Sequence, residues 1–428
     1  MNLDSNFIKF TLDIKDPNLS FIDYCYKFFH GIKCKMYVAI LDISRCSQCG
    51  STNFVKNGRY KSYIRYITAN ASNPVLIKIF KQRILCRNCH TSSMAASPLI
   101  DKYCYISNTV KQKITANLTE DRSLISIAKE NNVSPNTVQR QLEKFEDKFI
   151  NEIQEDLPAH LAFDEFRGVG RKLHFICIDG DSHNIIKILP TRYKKDIIAY
   201  FNKFSPQALA KVETVSMDLN SYYPEIARMM FPNAKIILDR FHMVQMLARS
   251  FNSMRVQVMK QFDKKSLEYK LLKYHWKLYL KKYSDLNKTR PLYDWHIKDC
   301  LTQEQIVVDG LGCDKALANS YYLMQDFMEA LDNKDSEKIR ELLQANISVG
   351  SQMATTLRTF NHYLSGVLNG VSSPYSNGCL EGKNRKIKQI QRTAYGYRNF
   401  KHMIIRIRLE EDIAIKEKHQ ALAAMSLS

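Results

Sequence analysis

Four cysteines in two close pairs, Cys46-Ser47-Gln48-Cys49 and Cys86-Arg87-Asn88-Cys89, constrain this chain more than any other feature of its sequence. Two Cys-x-x-Cys knuckles can set four thiolates tetrahedrally around one zinc ion, which closes segment 50–85 into an extended hairpin. Gly50 stands directly after the first knuckle, where such a turn often needs a positive φ. His90, beside Cys89, is an alternative ligand. Four protein ligands leave no open position for water, so the implied Zn2+ is structural. Eleven cysteines, an odd number, argue for reduced thiols and against a disulfide framework. Cys25, Cys34 and Cys104 read as ordinary buried thiols.

The chain has 428 residues, 45% of them hydrophobic, more than one core usually holds, so several packed units are expected. Its formal charge of +20 points to a polyanionic partner. The cations fall in two acid-free tracts, nine Lys or Arg from Ile43 to Ile100 and nine from Lys383 to Arg408, which fits an extended polymer such as DNA. No run of about eighteen apolar residues exists, so a membrane partner is not expected. The N-terminus lacks the basic start and apolar middle of a signal peptide, and a cytoplasmic protein is expected.

Texture changes along the chain suggest five segments. Residues 1–103 read as a small zinc-binding domain with short β-like runs, Tyr63 to Ile67 and Val75 to Phe80 among them. Residues 104–152 carry helical periodicity and a helix-turn-helix. Residues 153–245 alternate apolar strands with amphipathic helices as the first part of an α/β catalytic domain. Residues 246–372 read as an all-helical insertion, and 373–428 as the second catalytic part, a helix with a basic tail. Within the insertion, Lys273, His275, Trp276, Lys277 and Lys281 form a basic aromatic face that suits DNA, a second subunit or plain helix packing.

In the helix-turn-helix, Leu124, Ile127 and Ala128 share one helix face and Asn132-Val133 makes the turn. Ser134 is the N-cap of a second helix with Pro135 at its first position. Val138 and Leu142 then face the core, and Asn136, Thr137, Gln139 and Arg140 are expected to point outward, toward base edges in a major groove. Helix pairs of this kind also occur as packing units that bind nothing.

Three apolar strands end in carboxylates: Leu161-Ala162-Phe163-Asp164, Val215-Ser216-Met217-Asp218 and Ile236-Ile237-Leu238-Asp239. A hairpin over Leu173 to Leu189 and a helix over Lys194 to Phe204 separate the first two. Strand, hairpin, helix, strand, helix, strand is the element order of an RNase H-like fold. Carboxylates brought close together oppose folding unless a cation joins them, and hard oxygen donors suit Mg2+ or Mn2+. A further acid, Glu381, begins a helix whose later turns carry Lys383, Arg385, Lys386, Lys388 and Arg392, with Arg398 beyond; these cations can hold a DNA backbone. Tyr395, Tyr397 and Phe400 add faces on which a base can stack. From the pattern alone, Asp239 competes with Glu381 for a third catalytic place beside Asp164 and Asp218.

Asp164-Glu165-Phe166, Met217-Asp218-Leu219, Phe231-Pro232-Asn233-Ala234, Asp239-Arg240-Phe241-His242 and the stretch from Ser376 through Phe400 together resemble the bacterial insertion-sequence transposases of the ISL-three family. The resemblance covers nearly the whole chain in family order. It implies a multi-domain protein: a zinc domain, a helix-turn-helix and an RNase H-like DDE domain interrupted by an all-α insertion. The implied activity is recognition of terminal inverted repeats in double-stranded DNA, Mg2+- or Mn2+-dependent strand cleavage at element ends, and strand transfer into target DNA. The triad falls on Asp164, Asp218 and Glu381, with Asp239 and His242 supporting. Arg385 stands where the family often has a second Asn. A homodimer on paired ends, associated with the nucleoid when bound, is expected from the mechanism. The alternative is a transposase-derived DNA-binding regulator without catalysis, against which all three family positions are still acidic.

Overall fold

A computed structural model describes residues 4–29, 32–66, 75–151, 154–219 and 222–411. The expected strand end at Ile67 and the last part of segment 373–428, residues 412–428, lie outside these described residues. Two compact units divide the chain: Met1–Glu152 with Lys388–Ser428, and Ile153–Ile387.

The first unit opens with helix α1 (Ser5–Thr11), whose N-cap Asp4 accepts from the amides of Asn6 and Phe7. Strands β1 (Leu19–Phe29), β2 (Ile32–Leu41), β3 (Phe54–Tyr66), β4 (Val75–Cys86) and β5 (Ser92–Met94) form one sheet in the order β1-β2-β4-β3, with β5 on β4. Strands β3 and β4 are the two arms of the hairpin expected between the cysteine pairs, antiparallel from Phe54↔Cys86 to Tyr66↔Val75. Val75, Ile77 and Ile79 alternate along β4 and pack with Leu19, Phe21, Ala39 and Ile64.

Helices α2 (Asn108–Asn117), α3 (Leu124–Glu130), α4 (Pro135–Glu143) and α5 (Glu146–Phe149) follow, the first three capped by Ser107, Ser123 and Ser134. Asn132 takes a φ of 51° in the α3–α4 turn. Val110, Ile114, Ile127, Val138 and Leu142 make the core, joined by Ile405 and Leu409 from the far end of the chain. Residues 400–411 are helical. Arg406 there donates to the carbonyls of Glu120 and Arg122, the latter at 2.7 Å, and pairs with the buried Glu410 at 3.0 Å. The basic tail expected to run on from the catalytic helix thus supplies apolar side chains to the helix-turn-helix core, because Ile405 and Leu409 repeat at helical spacing on one face.

The second unit carries β6 (His160–Arg167), β7 (Leu173–Asp179), β8 (Ile185–Leu189), α6 (Lys194–Phe201), α7 (Pro206–Ala210), β9 (Thr214–Met217), α8 (Tyr223–Met230) and β10 (Lys235–Leu238). The sheet order is β10-β9-β6-β7-β8. Strands β6, β7 and β8 run antiparallel in sequence, whereas β9 and β10 add parallel to β6. Phe163, Phe175, Phe201 and Phe231 fill the space beneath it. Helix α9 (Arg240–Met259) leads into the insertion, α10 (Leu267–Tyr274), α11 (Gln303–Leu311), α12 (Lys315–Asp332), α13 (Ser336–Gln344), α14 (Ser351–His362) and α15 (Leu364–Ser372), and α16 (Gly378–Thr393) returns to the sheet.

One expectation is corrected: the insertion is not all-helical. Leu292–Asp294 and Asp299–Leu301 form a small antiparallel hairpin, β11 and β12. Pro291 lacks the amide a helix needs, and the Asp294 carboxylate accepts from the amides of His296 and Ile297, which fixes a turn instead. Helix α15 lies against β10 because Gly370 has no side chain: a Cβ there would fall 2.1 Å from the Leu238 carbonyl oxygen. Asn369 donates to Ile236 O at 2.9 Å and secures the same contact. The chain is thereby delivered to the carboxylate end of the sheet.

Candidate active site

Strand register brings the three aspartates into one row. Strands β6 and β9 pair up to Phe163↔Met217, and β9 and β10 up to Met217↔Leu238. Asp164, Asp218 and Asp239 each follow that last rung on three adjacent parallel strands. The apolar residues before them are buried in the sheet core, so the charges stand at its end. Asp239 has a structural task as well. It N-caps α9, one oxygen accepting from the His242 amide at 3.3 Å and the other from the Asn377 amide at 3.2 Å. His242, one turn on, sets its Nε2 2.9 Å from Asp218 Oδ2.

Helix α16 closes the site through two amides. Asn377, just before its first residue, is 5% exposed and uses all of its polar groups. Its Nδ2 donates to Phe163 O at 3.0 Å and to Asp218 Oδ1 at 3.1 Å, and its Oδ1 accepts from Ser216 Oγ at 3.0 Å. Two turns on, Asn384 Nδ2 donates to Asp164 Oδ2 at 2.6 Å. Residues 377, 381 and 384 fall on one helix face, so Glu381 sits between the amides that touch Asp218 and Asp164. Its carboxylate is not drawn in among the aspartates; it pairs with Arg385 at 2.6 Å and is 56% exposed.

Electrostatics mark the row as a place where negative charge is crowded. Burial, with the Asp218 charge added, pushes the Asp164 carboxyl up to about 7 against the opposing Glu165 amide. The hydrogen bond to Asp218 raises His242 above the usual histidine value although burial opposes it. In its protonated form His242 is placed to be the counter-cation of Asp218. Asn384 Oδ1 is buried without a hydrogen-bond partner. Single donor atoms of Asp218, Asp239 and His242 lie within 4.8 Å of one another. Crowded oxygen donors, an orphaned amide oxygen and a histidine proton doing a cation's work together fit a divalent metal.

The neighbouring Glu165 faces elsewhere, accepting from Arg192 at 2.7 Å and from the Tyr223 hydroxyl at 2.7 Å. Sequence reasoning missed this pair, and it missed Asn377 and Asn384 as ligands of the aspartates. The legible clue was their spacing: Asn, Glu and Asn at i, i+4 and i+7 of one helix.

The four cysteines converge in the first unit. Cys46 and Cys89 Sγ atoms are 3.7 Å apart, Cys49 and Cys86 3.5 Å, and all four lie within 4.8 Å of one another. A zinc–thiolate tetrahedron with bonds of about 2.3 Å has edges of about 3.8 Å, so the residues could hold such an ion. The amides of Cys49 and Gln48 donate to the Cys46 sulfur and lower it to about 5. Gly50 has the expected positive φ, 71°, and His90 takes the matching place after the second pair with 53°. His90 is a turn residue outside the four-sulfur group. Cys34 is buried and Cys104 partly so, but Cys25 is exposed, because it lies on the outer end of edge strand β1.

On α4, Asn136 and Arg140 are exposed and Gln139 half-buried, its amide donating to Glu143 at 2.9 Å. Thr137 departs from expectation. It is buried, with its hydroxyl 3.0 Å from Ser134 Oγ, because 137, 138, 141 and 142 form the core stripe of the helix. Lys386, Lys388, Arg392 and Arg398 are exposed, and Lys383 is partly so. No helix among the described residues is long and apolar enough to cross a membrane.

Among known proteins, two relatives and one family model match parts of the chain. A protein of Lactococcus lactis subsp. lactis named an ATP-dependent protease is 38% identical over 115 residues, 27% of this chain and 37% of that protein. The chain thus spans little of that relative's length, and its 428 residues contain no Gly-x-x-x-x-Gly-Lys-Ser/Thr phosphate loop. The transposase for insertion sequence element IS1001 of Bordetella parapertussis is 22% identical over 343 residues, 78% of this chain and 80% of that protein. The ISL-three DDE family model, described as a transposase, matches residues 161–407, more than half of the chain and all of the elements that meet at the aspartate row. The chain belongs to the ISL-three family of DDE transposases, enzymes that cut and join DNA.

Proposed function

We propose that the protein binds the terminal inverted repeats of its own insertion sequence and performs strand cleavage and strand transfer with Asp164, Asp218 and Glu381 on an RNase H-like sheet. The observation that carries this reading is the docking of α16 by Asn377 and Asn384 onto Asp218 and Asp164, which leaves Glu381 between them on the facing side. Asp164 and Asp218 would hold Mg2+ or Mn2+ with Glu381. The metal, when bound, supplies activation of a water or a 3′ hydroxyl and stabilisation of the leaving oxygen.

The protein's own groups do the positioning. Asn377 holds the Asp218 carboxylate against the sheet edge, and Asn384 holds Asp164. Asp239 keeps the start of α9 in place, so His242 stays at Asp218. Glu381, paired with Arg385, would complete the donor set for the metal, and Lys383, Arg385 and Lys386 beside it are the cations for phosphate oxygens.

Asn136, Gln139 and Arg140 of α4 read the repeat, the four cysteines hold a structural Zn2+, and a homodimer pairs two ends. A cytoplasmic site of action on the nucleoid accompanies this reading. The test is metal-dependent nicking of repeat-end DNA by purified protein. Wild type cleaves and Asp218→Asn does not, while both bind the end equally; equal cleavage by the two would overturn the assignment.

A further inference from the structure

The chain contains two tryptophans, Trp276 and Trp295, and both lie in the stretch between α10 and α11 of the insertion. Trp295 is 82% exposed, at the turn of the β11–β12 hairpin. An indole offers a large flat apolar face with one polar edge, a combination enriched at interaction surfaces. Its neighbours are fixed on both sides. Asp294 caps the turn through the amides of His296 and Ile297, both at 2.9 Å, and its other oxygen lies 2.8 Å from His275 Nε2 beside α10. The His296 ring stacks on Tyr274 with centroids 3.7 Å apart and planes 4° from parallel. Lys298 closes the turn with a φ of 67°. With Asp294 held by His275 and His296 stacked on Tyr274, the Trp295 side chain between them stays exposed, with Tyr293 packed edge-on to it at 5.2 Å.

The surroundings are cationic. From Lys273 to Lys298 the sequence has seven Lys or Arg and two Asp. Lys273, Lys277, Arg290 and Lys298 are exposed. A rigid, exposed aromatic face among cations suits a polyanion that carries flat rings of its own, and a base left unpaired in DNA offers both. A protein partner of matched chemistry would need acidic groups around an apolar pocket; Asp294 and His296 of the same turn are already engaged by His275 and Tyr274.

We propose that Trp295 is a stacking platform for an unpaired base of the DNA on which this enzyme acts. The inference rests on the reading of the protein as a DNA-processing enzyme and goes beyond the aspartate row. In full-length Trp276→Phe protein, Trp295 is the sole tryptophan and its fluorescence reports stacking. Titration with a repeat-end duplex carrying a two-nucleotide single-stranded flap is expected to quench it strongly, and the fully paired duplex much less. Trp295→Ala, in an otherwise native chain, is expected to bind the flapped duplex roughly tenfold or more weakly, with Trp295→Phe recovering much of that loss and paired-duplex binding unchanged.

Unchanged fluorescence and affinity with flapped DNA, in protein that binds the paired end normally, would overturn this inference alone. Quenching that depends on protein concentration without DNA would overturn it in favour of a contact between copies of the chain. Failure of the wild type to bind any of these DNAs would overturn the DNA-processing reading together with it.

Discussion

At the scale of single residues, the site depends on how Asp164 is kept neutral or compensated. Burial and Asp218 raise its carboxyl from the ordinary 3.8 to about 7, so the folded state holds that proton more tightly than the unfolded chain does. Its contribution to stability is complete below about pH 4 and is lost as pH rises through about 7. His242, also raised, acts in the same direction above its ordinary value of 6.5. Metal-free protein is therefore expected to melt at a lower temperature at pH 8 than at pH 5.5. Added Mn2+ should offset that loss at pH 8. Asp164→Asn should remove most of the pH dependence and stabilise the metal-free protein at pH 8 by on the order of 2 kcal/mol, while abolishing the gain from Mn2+. Melting curves across pH with and without metal check this, and an Asp164→Asn variant that still gains from Mn2+ would contradict it. The aspartates themselves were legible, since each ends a run of apolar strand residues. The roles of Asn377 and Asn384 were carried only by their spacing with Glu381, because an Asn before a helix reads equally as a cap and one inside it as a solvated side chain.

Elements repeat that division between what a pattern encodes and what contacts decide. The strand order in 158–240 and the Ser134-Pro135 helix start are visible as apolar periodicity and capping chemistry. Placement of Asp164 beside Asp218 needs the parallel pairing of β6 with β9, which no local pattern specifies. Thr137 was misjudged for a related reason: its small hydroxyl looks outward in a list of polar residues, yet its bond to Ser134 lets it join Val138 in the buried stripe. The hairpin β11–β12 was hidden in a Lys- and Tyr-rich stretch that reads as helix until Pro291 and Asp294 are weighed as breakers. For the cysteine element, whose spacing was fully legible, we expect Cys46→Ser to remove bound zinc and weaken repeat-end binding while the sheet carrying the aspartates stays folded. Metal analysis and filter binding test this, and unchanged zinc content would exclude Cys46 as a ligand.

Across the whole molecule, the C-terminal residues carry more than a basic tail. Helix α16 holds Glu381 in its first turns, and residues 400–411 put Ile405 and Leu409 into the helix-turn-helix core. The sequence shows these apolar positions within a tract dense in cations, where charge dominates the reading. Ile405→Asp is expected to weaken repeat-end binding at least tenfold, because it places a carboxylate in a buried apolar core; normal end binding by that variant would show the helix to be dispensable there. The central claim concerns the third carboxylate, for which Glu381 and Asp239 both qualify by sequence. Asp239 has both oxygens committed to backbone amides, whereas Glu381, on the helix face that carries Asn377 and Asn384, pairs with the exposed Arg385. The most direct measurement is Mn2+-dependent cleavage of repeat-end DNA by Glu381→Gln beside Asp239→Asn. Glu381→Gln is expected to lose cleavage with an unchanged melting temperature, and Asp239→Asn to melt lower with residual cleavage. Wild-type cleavage by Glu381→Gln would exclude Glu381 as the third carboxylate.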